Sequence, residues 1–133
     1  YGAFLKACRK HGINVPVIPG IMLVQAAGGF RKMTAMCKTR VPAAVKESVD
    51  AKADNDVALK AYGVDLGVEI SHQLLAVGAP GLHFYTLNLD KTTLAIAKRV
   101  ADDRASSRTA RDWLKAAALA AGAAVLVALL RRK

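Results

Sequence analysis

The chain has 133 residues, which is enough for one domain of ordinary size but not for a second full domain. Its formal net charge is +10, from 20 Lys and Arg against 10 Asp and Glu, and this balance would suit an anionic partner. The basic residues are scattered and are not interleaved with aromatic residues, which argues against nucleic-acid binding. Cys8 and Cys37 lack zinc-site spacing, so we expect two reduced, buried thiols.

The first part of the chain predicts a helix, a strand and two more helices. Residues 2–11 have apolar side chains at helical spacing and are followed by Gly12, a common residue just after a helix. The β-branched run 14–22 predicts a strand buried on both faces, although its two prolines must lie where no backbone donor is needed. Residues 26–38 predict a second helix, and Pro42 suits the first turn of a third.

The second part predicts a long helix, a strand and a final helix. The longest periodic stretch is 54–77, with Asp54 as its expected N-cap. Residues 82–87 predict a strand, and 91–100 a helix capped by Asp90. Strands joined by a long helical connection are typical of a parallel α/β arrangement. Two strands alone leave unpaired edges, so the α/β part is predicted to be incomplete.

The C-terminal part differs in composition from the rest. Residues 102–112 are polar and predict a linker, or a soft helical lead-in, after a domain that covers 1–101. The run 116–130 has no polar side chain, and residues 113–133 predict a transmembrane-like helix. The run alone would rise only about 22 Å, short of the roughly 30 Å hydrocarbon layer. The residues expected to define and extend this helix are Trp113, Lys115, Gly122, Leu130 and Arg131.

Three stretches resemble one enzyme family. VPVIPGIM, RVPAAVKESVDAKADNDVALKAYGVDLGVEISHQLL and PGLHFYTLNLDK occur in the order and spacing of the C-terminal part of the methylenetetrahydrofolate reductase barrel. The resemblance covers about residues 1–100. It implies a (β/α)₈ barrel flavoenzyme that passes a hydride from NAD(P)H through FAD to methylenetetrahydrofolate. It also implies that this chain is a partial TIM barrel holding the last two βα units, with 14–22 as the seventh strand and 82–87 as the eighth.

The resemblance assigns site positions and also shows departures from the family pattern. The positions that would face the shared folate and nicotinamide pocket are Gln25, Tyr85 and Leu87. Leu23 stands where the family has a proline, Ala27 where it has an aromatic residue, and Leu89 where it has an arginine. Loss of the guanidinium would remove charge-assisted hydrogen bonds to a polar substrate. We therefore expect these positions to be vestigial.

The remaining polar candidates have structural interpretations. His83 has no acidic or cysteine neighbour at motif spacing and is expected to be a hydrogen-bonded structural histidine, and His72 a surface or satisfied residue. Asp54 and Asp56 suit a helix cap and a first-turn charge. Asn88 suits the end of a strand. The sequence therefore predicts no catalytic residue and no metal site.

These observations favour a non-catalytic accessory subunit of a larger membrane assembly, derived from a reductase fragment and binding no cofactor. Its expected partners are membrane lipid and other subunits that cover the open half-barrel and pack on the C-terminal helix. The mitochondrial inner membrane is the expected location. The alternative is one part of a split or truncated reductase, cytoplasmic, with FAD and NAD(P)H bound once another chain completes it. Because the chain opens on Tyr1, it is expected to be processed or partial.

Overall fold

The computed structural model describes the backbone of residues 1–88 and 90–130 and the side chains of 1–88 and 90–112. These residues belong to two compact units, Tyr1–Val100 and Ala101–Lys133. The elements in chain order are α1 (Gly2–Lys10), β1 (Gly20–Met22), α2 (Ala27–Met36), α3 (Ala43–Asp50), α4 (Asp56–Ala76), β2 (His83–Tyr85) and α5 (Asp90–Leu130).

The two strands form a parallel pair. Gly20 lies opposite His83, and Met22 opposite Tyr85. Helices α2, α3 and α4 all lie between these strands in the chain and so form the connection that a parallel pair requires. The predicted α/β arrangement with two parallel strands is confirmed.

The first strand is much shorter than the sequence predicted. Residues 14–19 lie outside the strand and none of them is buried, so the prediction that 14–22 is a strand buried on both faces was wrong. Pro16 and Pro19 have no backbone N–H, and in the described part of the chain β2 is the sole neighbour of β1. Two hydrogen bonds hold this segment: the Tyr1 hydroxyl donates to the Val17 carbonyl oxygen at 2.8 Å, and the His83 backbone N–H donates to the Pro19 carbonyl oxygen at 3.0 Å.

The two faces of the sheet have different surroundings. Ile21 and Phe84, paired in register, lie on the face covered by α4 and by α5 up to Val100. The buried residues of this first core cluster are Ile21, Leu23, Val68, Ile96 and Val100. The opposite face carries Gly20, Met22, His83 and Tyr85, none of which is buried. One helix-covered face and one open face are the arrangement expected of a barrel segment, because a closed barrel places its helices outside and packs side chains within.

A second core cluster lies beyond the end of β1, and glycine in α4 permits its close packing. Its buried residues are Val24, Ala27, Val49 and Leu59. Gly63 of α4 lies directly against the carbonyl oxygen of Val24, and Gly67, one turn later, lies against the side chain of Ile96. Any Cβ at either glycine would collide with these atoms. The two glycines therefore set how closely α4 approaches the segment after β1 and the start of α5.

The N-terminus of α4 is capped by a different residue from the one predicted. The side chain of Asn55, and not that of Asp54, accepts a hydrogen bond from the Ala58 backbone N–H at 3.0 Å. The N-cap lies one residue later than the sequence indicated and the helix begins at Asp56, because Asn55 has the extended backbone of an N-cap.

Substitution of each candidate should distinguish Asn55 from Asp54 as the N-cap of α4. We expect Asn55→Ala to lower the free energy of unfolding by about 1 kcal/mol, because a first-turn N–H loses its acceptor. Asp54→Ala is the matched control and should change it by less than about 0.5 kcal/mol, as at an exposed surface position. Urea unfolding of the full chain followed by circular dichroism measures both. A larger loss for Asp54→Ala would restore the original assignment.

The C-terminal prediction is not supported. Residues 102–112, predicted as a linker or a helical lead-in, are helical and belong to α5, so the second interpretation agrees with the structure. They carry acidic and basic side chains throughout, as in DDRASSRTARD. No helix in the described part of the chain is long and apolar enough to cross a membrane. The side chains of Trp113, Lys115, Gly122 and Leu130, and the whole of Arg131, lie outside the described residues.

The two cysteines are free thiols. Cys8 is buried on α1, as predicted, whereas Cys37 is exposed at the end of α2. The expectation that both are buried was therefore wrong for Cys37, because the apolar spacing of α2 does not show which of its faces is covered.

Candidate functional site

A cleft opens at the carboxyl ends of β1 and β2, between the sheet and α2. We call it the carboxyl-edge cleft, and its volume is about 260 Å³. It is lined by Met22, Leu23, Gln25, Ala26, Gly29, Phe30, Lys32, Met33, Met36, Tyr85 and Leu87. The three positions predicted to face a ligand, Gln25, Tyr85 and Leu87, thus lie around one cavity. Their role in binding stays a prediction.

Helix α2 supplies a wall that sequence reasoning missed. Gly29, Met33 and Met36 follow the i, i+4, i+7 spacing of one helix face, and Phe30 lies beside them. All three methionines of the chain line the cleft. Methionine is flexible and polarizable, so this wall can adapt to a planar ligand. The spacing was visible in the sequence, but it was used only to predict a helix.

The ring of Tyr85 lies across the neighbouring strand. A Cβ built on Gly20 would be 2.5 Å from Cε2 of Tyr85, so the glycine leaves the space that the ring occupies. His83, two residues earlier on the same face, makes an edge contact with the ring at 4.7 Å between centroids. Tyr85 is nevertheless 54% exposed and lines the cleft. His83 is an exposed neighbour of the site and is not buried as a core histidine would be.

The chain turns sharply after β2 with an unfavourable backbone. Leu87 has φ 49° and Asn88 has φ 63°, both in the left-handed region. Asparagine tolerates this conformation, whereas leucine does so at a cost of order 1–3 kcal/mol. Leu87 is also 63% exposed at the mouth of the cleft. Strain of this kind persists where the surrounding structure imposes it, and functional sites are a common place for it.

The three departures from the family pattern fall in different surroundings. Leu23 is buried in the first core cluster and forms part of the cleft floor. Ala27 is buried in the second core cluster and does not line the cleft. Leu89 lies outside the described residues. Ala27 is the first residue of α2, and it packs with Val49 and Leu59.

A second cavity of about 570 Å³ adjoins the first beneath α2 and shares five lining residues with it. Those residues are Met22, Phe30, Met33, Tyr85 and Leu87.

Among the residues with described side chains, no cluster of His, Cys, Asp or Glu could hold a metal ion. Gln25 and His72 each have an interaction partner.

Parallel strands covered by helices on one face, with a cleft at their carboxyl ends, are consistent with a segment of an α/β barrel. The methylenetetrahydrofolate reductase family model matches residues 1–101, and the chain belongs to that family. The match ends at residue 101, one residue past the boundary between the two compact units.

Several reductases are similar to this chain. A probable methylenetetrahydrofolate reductase (NADH) from Oryza sativa subsp. japonica is 44% identical over 93 residues, which are 70% of this chain and 16% of the rice protein. Methylenetetrahydrofolate reductase (NADH) 1 from Arabidopsis thaliana is 43% identical over 93 residues, again 70% of this chain and 16% of the relative. The 5,10-methylenetetrahydrofolate reductase of Escherichia coli is 31% identical over 96 residues, covering 72% of this chain and 32% of the relative. The chain thus spans a third or less of these relatives.

Proposed function

We propose that residues 1–100 form the last two βα units of a methylenetetrahydrofolate reductase barrel, which reduces methylenetetrahydrofolate with NAD(P)H. The observation that carries the proposal is the carboxyl-edge cleft, where Gln25, Tyr85 and Leu87 line one cavity inside the family-matched region. In α/β barrels the chemistry lies at this end of the strands. We therefore favour the interpretation of this chain as part of a reductase over its interpretation as a non-catalytic accessory subunit.

The lining of the cleft fits a planar ring better than it fits a phosphate group. Met22, Phe30 and Met33 provide apolar surface, and the Tyr85 phenol and Gln25 amide provide hydrogen-bonding groups at its edge. Lys32 is the single cation among the lining residues in the described part of the chain. These residues suit a pterin or nicotinamide ring, while the FAD phosphates would need groups from the rest of the barrel. When bound, FAD would supply the hydride-carrying ring.

The open sheet requires further strands. Each of β1 and β2 has one neighbour in the described part of the chain, so one edge of each strand is unpaired. Exposed edges pair readily with other strands. The proposed partner is the earlier part of the barrel, supplied by the same or by another polypeptide, which would also cover the open face around Met22 and Tyr85.

The accessory-subunit and membrane hypotheses rest on the sequence of the C-terminal run alone. The family match favours a reductase segment, and no described helix could cross a membrane. An organellar membrane location thus stays a separate proposal, which vesicle flotation of the full chain would test.

The reductase proposal can be tested with a chimaera. Residues 1–100 of this chain would replace the matching region of the rice relative, and flavin absorbance and NADH-dependent reduction of methylenetetrahydrofolate would be measured. We expect the chimaera to bind flavin and to keep kcat/KM within about tenfold of the parent, a change of about 1.4 kcal/mol in the activation free energy.

The control is the same chimaera carrying Tyr85→Ala, which should retain its far-UV circular dichroism while losing activity. A folded, flavin-loaded chimaera without NADH-dependent reduction would contradict the proposal and favour a vestigial site.

A further inference from the structure

The carboxyl-edge cleft has a single positively charged side chain among its described lining residues. Lys32 extends from the α2 wall, whereas the other lining groups are apolar apart from the Gln25 amide and the Tyr85 phenol. Helix α2 contains no acidic residue, and no Asp or Glu lines the cleft in the described part of the chain. Within this cleft, the negative charge of a ligand would therefore meet one cation and no opposing carboxylate, whereas Arg40 lines the adjoining cavity.

The neighbouring cation on the same helix has a different environment. Arg31 donates to Asp50 Oδ1 through Nη2 at 2.6 Å and lines a separate cavity between α2 and α3. Successive residues of a helix point about 100° apart, which places these two side chains on different sides of α2. Arg31 is thus occupied by a structural ion pair, and Lys32 has no ion pair with a described acidic residue.

We propose that Lys32 is the specificity-determining residue that binds the carboxylates of the glutamyl tail of the folate substrate. This inference rests on the proposed function. Folates combine a planar pterin ring with a flexible anionic tail, and the cleft combines an apolar, aromatic floor with one cation on its helical wall. The ring would lie between Tyr85 and the methionine wall, and the tail would run along α2 to the exposed ammonium of Lys32. An ammonium on a flexible stem can follow a mobile carboxylate.

The test compares two ligands on the reductase assembly that contains the full chain. The dissociation constants of 5-methyltetrahydrofolate and of 5-methyltetrahydropteroate, which lacks the glutamate, would be measured for the wild type and for Lys32→Gln. We expect Lys32→Gln to weaken folate binding about fivefold, as for loss of one exposed ion pair, and to leave pteroate binding unchanged. Lys32→Arg should keep the wild-type preference, and added salt should reduce it.

Arg31→Gln is the matched control and should leave both constants unchanged, since it removes the adjacent cation of α2 from the other side. Equal weakening of both ligands by Lys32→Gln would indicate a structural role and overturn the proposal, as would no effect on either. A change in NADH affinity alone would assign the ammonium to a pyrophosphate and also overturn it. Failure of the wild type to bind either ligand would instead contradict the proposed function itself.

Discussion

Gly63→Ala is expected to lower the free energy of unfolding by about 3 kcal/mol, the upper part of the usual range for overpacking a core. The added methyl group would collide with the carbonyl oxygen of Val24, which belongs to the backbone and cannot move aside as a side-chain tip could. Helix α4 would have to shift away from the segment after β1, and contacts of the second core cluster would loosen. Urea unfolding of the full chain, followed by circular dichroism, measures the change.

Gly28→Ala is the control for the intrinsic effect of replacing glycine in a helix. Gly28 lies in the first turn of α2, and a Cβ there meets nothing within 4 Å. Its replacement should be neutral or raise the free energy of unfolding by about 0.5 kcal/mol, because alanine loses less conformational entropy. Equal effects of the two substitutions would show that α4 does not approach Val24 closely in solution.

Leu59→Ala is expected to cost about 2–5 kcal/mol of folding free energy, the range for truncating a large buried aliphatic side chain. Leu59 is 0% exposed and packs with Val24, Ala27 and Val49 in the second core cluster. Truncation would leave a cavity where α3, α4 and the segment after β1 meet. Thermal and urea unfolding of the full chain would measure the loss.

Val57→Ala is the matched control on the same helix. Val57 is 81% exposed, so its truncation should change the free energy of unfolding by less than about 0.5 kcal/mol. A loss below about 1 kcal/mol for Leu59→Ala would contradict the burial of this residue, since core truncations of this size exceed that value. Such a result would indicate that the second core cluster forms only when the rest of a barrel is present.

The order and type of the elements could be predicted from the chain because hydrophobic periodicity is local. The spacing of apolar residues identified α1, α2 and α4, and the long helical connection implied that β1 and β2 are parallel. Element ends were predicted less well. Asn55 and Asp54 are both good capping residues, and only the backbone geometry decides which one accepts the hydrogen bond.

The candidate site was predicted only in part. Gln25, Tyr85 and Leu87 came from the resemblance to a family, and the structure places all three around one cleft. The α2 wall and Lys32 were missed, because the sequence shows the period of a helix but not which face remains uncovered. The apolar run 116–130 favoured a membrane accessory subunit, whereas the family match over residues 1–101 indicates a reductase segment.

The sequence by itself determined the family, the parallel α/β class and the order of the elements, because these depend on local patterns and on motifs carried in order along the chain. Only the tertiary structure decided that Gly63 and Gly67 set the packing of α4, and that Met33 and Lys32 share a cleft with Tyr85. The physical reason is that close approach and shared cavities depend on residues far apart in the chain. Tyr85 lies 52 positions from Met33 (85 − 33), and the two are brought together by the pairing of β1 with β2.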